Sequence, residues 1–141
     1  MKALLVHPAG MVEEVIFPKE DKLEWYYQQL SCDCIDIVRP YGLEAVANMY
    51  DLKSLLGKFS LVVDDESLLK PKPEVNPIAS ILYGCDDHGQ PLFGKVLIVK
   101  DEETEDGIES VGLDDSELAL MRASINSLVE MHNEKVREAY G

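Results

Sequence analysis

Hydrophobic and polar positions alternate at the start of this chain and then change period. In "MKALLVHPAGMVEEVIFP", two short apolar runs, Ala3 to Val6 and Val12 to Phe17, flank "HPAG", where Pro8 and Gly10 supply turn chemistry; the pattern predicts an opening β-hairpin. Leu23, Tyr26, Tyr27 and Leu30 then recur at helical spacing, which predicts a helix packed on the hairpin with Asp21 as its N-cap. "CDCIDIVRP" returns to a period of two. Ile35, Ile37 and Arg39 share one face of a predicted strand, Cys34, Asp36 and Val38 the other, and Pro40 ends it.

Further along, Leu52, Leu55 and Leu56 suggest a helical turn closed by Gly57, and "FSLVVDD" reads as a strand. Pro71 and Pro73 impose an extended approach to "NPIASILYG". There Asn76 is a strong N-cap residue, Pro77 suits the first helical position and Gly84 suits a left-handed C-terminus, so a two-turn helix with fixed ends is expected. Ala79 and Ser80 are small enough for another backbone to approach, while Ile78, Ile81 and Leu82 are expected in the core. "GKVLIVK" is a nearly continuous apolar run, as in a central strand. From Asp101 to Glu117 there are nine acidic residues and no basic one, a composition that predicts a solvated acidic hairpin or loop.

The final segment opens on a capping box, Asp114 with Glu117, and a hydrophobic staple of Leu113 on Leu118. Leu118, Met121, Ile125, Leu128 and Val136 continue as a helical stripe. About 25 residues make a rod of roughly 37 Å, as long as a domain with a radius of gyration of about 14 Å is wide. Part of the rod is expected to project, with Val129, His132, Val136 and Tyr140 on its exposed path, and to join two copies of the chain. The fold expected is α+β: a small mixed, mainly antiparallel sheet with packed helices and a long C-terminal helix. Residues 1–117 would form the domain and residues 118–141 the packing or oligomerisation helix.

Composition narrows the function classes. A chain of 141 residues that is 46% hydrophobic can bury a core without metal or disulfide support. No apolar run is long enough to span a membrane or to serve as a secretory segment, so a cytoplasmic protein with reduced Cys32, Cys34 and Cys85 is expected. The formal net charge of −14 has the wrong sign for direct contact with a nucleic-acid backbone. It suits basic partners, solubility or mimicry of DNA.

The motifs "ALLVHPAGMVEEV", "IDIVRP", "LVVDDESLL", "NPIASILYG", "GKVLIVK" and "GLDDSE", taken in order, resemble the family called domain of unknown function 3846. The resemblance implies a setting, an accessory protein of a bacteriophage or mobile element, and no reaction. The stretch "YGLEAVANMYDLKSLLGK" is longer than the family's usual link, and the helix after Leu118 lies beyond the resemblance.

Candidate chemistry is sparse. No nucleophile elbow, phosphate-binding glycine loop or paired-cysteine zinc knuckle occurs. Cys32, Cys34, Cys85 and His88 make four zinc ligands only on paper, and neither metal nor cofactor is expected. Arg39 carries more information. On the face of Ile35 and Ile37 it either pairs with a carboxylate at a sheet edge or sits at a cavity rim, where its guanidinium grips phosphate or carboxylate. Asn76, Tyr83 and Lys95 complete the candidate ligand-binding set, with no catalytic residue. The expected function is capture of a host protein or a small anionic ligand such as a signalling nucleotide. The alternatives are a small enzyme with a dispersed site and an acidic DNA mimic.

Overall fold

The computed structural model describes residues 1–52, 57–85 and 89–140. Its strands are β1 (Lys2–Val6), β2 (Val12–Ile16), β3 (Ile35–Val38), β4 (Phe59–Asp64), β5 (Val96–Thr104) and β6 (Gly107–Val111). Among the described residues the α-helices are α1 (Lys22–Leu30), α2 (Leu43–Tyr50), α3 (Pro77–Tyr83) and α4 (Asp115–Tyr140). The strands form one sheet in the order β2-β1-β5-β4-β3, with β6 added along the far half of β5. Every pairing is antiparallel, so the α+β class expected from the sequence holds and no parallel pair mixes the sheet.

Both faces of the sheet are covered, which is why β4 and the first half of β5 are buried without alternation. On one face Leu4, Val6, Phe59, Leu61, Val96 and Ile98 pack under α2, α3 and α4. On the other, Ala3, Leu5, Val62, Leu97 and Val99 pack under Tyr26 and Leu30 of α1. Leu23, expected on the inner face of α1, is 53% exposed. Phe17 and Trp25 instead meet edge-to-face at 5.2 Å beside the buried pair. Asp21 does not cap α1 through its side chain. It adopts a left-handed conformation (φ 54°) and its carbonyl accepts from the Trp25 amide.

Helix α2 was not anticipated. Leu43, Val46, Ala47 and Tyr50 carry the i, i+3, i+4, i+7 signal for it, and the first three are buried. The turn expected at Leu55 and Leu56 lies outside the described residues. Gly42 enters α2 hard against α3: its amide donates to the Leu82 carbonyl at 2.8 Å, and a Cβ there would stand 2.2 Å from the Ile81 carbonyl oxygen. A second backbone approaches α3 at Ser80, where close approach was expected, the Ser80 hydroxyl accepting from the Leu92 amide at 2.8 Å. Ala79, Ser80 and Leu82 are buried, while Ile78 and Ile81 are half-buried at the margin of the core.

The capping box forms as expected: the Glu117 amide donates to Asp114 at 2.8 Å, and the Asp114 amide donates to the Glu117 carboxylate at 3.0 Å. Leu118, Met121, Ile125 and Leu128 are buried from there, but Val136, expected in the same stripe, is exposed with the rest of the helix end. The acidic stretch is a two-stranded ribbon, β5 turning into β6.

Candidate functional site

Three central strands meet at one end of the sheet, where β1 and β4 finish and β5 begins, and a cavity of about 520 Å³ opens there. Pro8, Ala9, Leu30 and Pro73 give it apolar walls, Lys70, Lys72 and Lys95 give it cationic groups, and His7 adds an imidazole. Asp64 and Glu74 are the acidic residues on the lining. The volume lies in the range that holds a small-molecule ligand, as does the mixture of apolar wall and few polar groups.

The local sequence explains how each cation is placed. "KPKP" alternates lysine with proline, so the chain between the 3₁₀ turn Ser67–Leu69 and α3 is stiff, leaves the turn through an extended Lys70 and bends over residues 70–72, and its lysines cannot fold back into a helix. Lys70 is tied down: its Nζ donates to the Ser31 carbonyl at 3.1 Å and lies 3.6 Å from the Asp64 carboxylate. It thereby closes the C-terminus of α1, where a cation is favoured by the helix dipole. Asp64 in turn accepts from the Glu66 amide at 2.9 Å. His7, at the end of β1, is 2.9 Å from Glu13. Lys72 and Lys95 line the cavity and have no ion-pair partner among the described residues.

Of the four residues singled out from the sequence, the structure brings two to this place. Lys95 lines the cavity. Asn76 is fully buried behind it and is saturated with hydrogen bonds: Nδ2 donates to the Val6 carbonyl at 3.0 Å and the Gly94 carbonyl at 2.8 Å, and Oδ1 accepts from the Ala79 amide at 3.1 Å. Asn76 is thus a positioning residue, caps α3 and locks Gly94, the residue before Lys95. Its own amide donates to the Leu92 carbonyl at 2.8 Å, and Ser80 accepts from the Leu92 amide at 2.8 Å, so the strand leading into β5 is pinned from two sides.

Tyr83 lies elsewhere. It lines a smaller cavity, about 220 Å³, on the other side of the Asp64–Leu69 turn, together with Asp36, Asp64 and Asp65, and its ring packs 6.0 Å from Tyr41. Arg39 is further off. Alternation from Ile35 and Ile37 carries its side chain to the α1 face, away from α3, although the backbone just beyond it touches the end of α3 through Gly42. There its guanidinium donates to the Ser60 hydroxyl at 2.7 Å and to the Asp101 carboxylate. Ser60, fully buried, also donates to Asp101 at 2.8 Å. This is the carboxylate-paired alternative.

His7, Lys70 and Lys72 line the cavity as well, and no sequence motif marks them. The available signal was "KPKP" standing beside a strand end in a chain otherwise so acidic.

Burial also sets three proton affinities. Under α1, desolvation pushes the Cys32 thiol above its ordinary value. Desolvation does the same to the Tyr26 phenol, which is buried near Ser110 without a hydrogen bond of good geometry among the described residues. Lys100 is held above the usual lysine range chiefly by its hydrogen bond to Glu117, a contact of 2.9 Å between β5 and α4. None of these three groups lines the cavity. Among the described residues no group of His, Cys, Asp or Glu has the arrangement of a metal site, and no helix is long and apolar enough to cross a membrane.

No family model, curated protein or solved structure matches the chain.

Proposed function

We propose that the protein is a non-enzymatic binding protein that takes a small anionic ligand, of the size of a nucleotide, into the cavity bounded by His7, Lys70, Lys72 and Lys95. One observation carries this reading: in a chain of net charge −14, three of the thirteen basic side chains are gathered around a single cavity, and two of them have no ion-pair partner among the described residues. Unpaired ammonium groups facing a concave site with low-dielectric walls attract and hold an anion, with Lys70 already oriented by Asp64 and the end of α1. The apolar walls leave room for a base or another organic body beyond the anionic group.

The setting implied by the resemblance gives such capture a use. An accessory protein of a bacteriophage or mobile element would withdraw a host signalling nucleotide from circulation, in the cytoplasm of the host. The same reading takes two copies of the chain as the working unit, joined at the exposed end of α4.

Isothermal titration with a panel of inorganic phosphate, mononucleotides and cyclic dinucleotides tests the proposal. At least one of these should bind, more weakly as salt is raised, and Lys72→Ala with Lys95→Ala should weaken it at least tenfold (roughly the loss of one charge-assisted hydrogen bond). No binding from the whole panel, or binding unchanged in the double variant, would overturn the reading.

A further inference from the structure

We infer that two copies of this chain pair their α4 helices antiparallel about a two-fold axis at Asn133. The inference deepens the two-copy reading above and rests on it, adding the face, the register and the contacts.

A groove of about 360 Å³ runs where α4 leaves the body, between the tip of the β1–β2 hairpin at Gly10, Ile78 of α3 and one face of α4. That face presents Asn126, Val129, Glu130, Asn133 and Arg137 to the groove, and the same helical path continues through Val136 to Tyr140. Tyr140 is 90% exposed and Val136 42%. An aromatic ring and a branched aliphatic side chain are thus held in water on a helix end whose residues 133–140 are all exposed.

The face is complementary to itself. An axis at Asn133 sets Tyr140 of one copy over Asn126 of the other, Arg137 over Val129 and Val136 over Glu130, and each relation occurs twice, as an isologous contact requires. The Arg137 stem then lies along Val129 while its guanidinium reaches the second copy's Glu130 one position further on. Tyr140 reaches into the groove beside Ile78 and Ile125, and the two Asn133 amides meet on the axis. The paired stretch from residue 126 to residue 140 is about 21 Å long, ample for helix packing at 8–10 Å between axes (approximate values for any such pair).

Charge favours this face over the others. From Leu118 onward Glu130, Glu134 and Glu138 are balanced by Arg122, Lys135 and Arg137, so the whole excess of −14 belongs to residues 1–117. Two copies approaching through the part of α4 after Glu117 meet over a stretch with no net charge in an anionic protein.

Sedimentation velocity on the full chain, on Glu130→Arg, on Arg137→Glu, on the double reversal and on Tyr140→Ser tests the register. The native chain should dimerise. Each single reversal and Tyr140→Ser should weaken the dimer at least about tenfold, and the double reversal should return it to within about threefold of native, because the swapped pairs re-form. Both charged residues are exposed, so helix content by circular dichroism should stay constant in all of them. A native protein that stays monomeric at high micromolar concentration overturns the two-copy reading and this pairing together. A dimer that ignores both single reversals, or that the double reversal fails to restore, overturns the pairing alone and leaves the two-copy reading standing.

Discussion

Arg39 and the Lys72–Lys95 pair are both basic groups on an acidic protein, and they have opposite fates. Arg39 is half-exposed, but its charge is met inside the fold by Asp101, with the buried Ser60 hydroxyl bridging the two. Lys72 and Lys95 project into a cavity where Lys70 has already engaged the nearest buried carboxylate, Asp64. A cation whose field is closed by its own chain supports the fold, and one whose field opens into a concave space is free to hold something else. Residue type alone would rank arginine as the better anion grip. Position reverses the ranking here.

The largest effect on this contrast should come from Asn76. Asn76→Ala removes two donors to buried carbonyls and the cap of α3, and should cost about 3 kcal/mol or more in urea denaturation. It should also slacken the junction of Gly94 and Lys95, so any anion binding retained by the folded fraction should be weaker. A loss under about 1 kcal/mol would mean that the cavity wall does not depend on Asn76.

Arg39→Ala comes next. It leaves Ser60 and the mostly buried Asp101 with one partner fewer, and should cost about 1–2 kcal/mol. Anion binding should be unchanged, since the guanidinium lies beside Ser60 and Asp101, at the opposite end of β4 from the cavity residue Asp64. Weakened nucleotide binding in a fully folded Arg39→Ala protein would undo the contrast between the two basic groups.

Much of the fold was legible because local signals agreed with the tertiary outcome. Asn76, Pro77 and Gly84 mark the ends of α3, Asp114 and Glu117 start α4, and the uninterrupted apolar run after Lys95 marks a strand covered on both faces. Where local and tertiary preferences competed, the pattern misled. Asp21 is an acceptable cap by type, but the chain turns through a left-handed residue there. Leu23 fits the helical spacing, yet Trp25 and Phe17 fill the space beside α1. The site was less legible than the fold, since the cavity joins loop residues more than sixty positions apart, His7 with Lys70 and Lys95, and no spacing rule links them. Arg39 illustrates the limit well. Alternation placed it on the correct face, but only the pairing of β4 with β5 brings Ser60 and Asp101 up to it.

A smaller effect is expected on raising the pH. Cys32, Tyr26 and Lys100 all bind their protons more tightly in the folded chain than their ordinary values imply. A folded state that holds extra protons loses stability as pH rises through that range, so their contribution is complete below the ordinary thiol pKa and declines from about pH 8.5 upward. Urea midpoints measured from neutrality to about pH 10.5 should fall, first through Cys32, and Cys32→Ala should flatten the first part of that fall. A midpoint rising over the same interval would contradict the sign.

The smallest effect on stability is expected where the effect on binding is greatest. Lys72 and Lys95 make no ion pair among the described residues, and their side chains support neither the sheet nor α1. Replacing either by alanine removes a positive charge from a locally cationic rim, so the folded state loses no attraction and is relieved of some repulsion. Lys72→Ala and Lys95→Ala should therefore lie within about 0.5 kcal/mol of the native protein in urea denaturation, with any change as apt to be stabilising as destabilising. Lys70→Ala is the control, because Lys70 ties the Ser31 carbonyl and Asp64 together and should cost more than either neighbour. If Lys72→Ala or Lys95→Ala were to destabilise the protein by more than Lys70→Ala, their charges would have to be answered within the fold, as that of Arg39 is, and the cavity would have no free cation to offer.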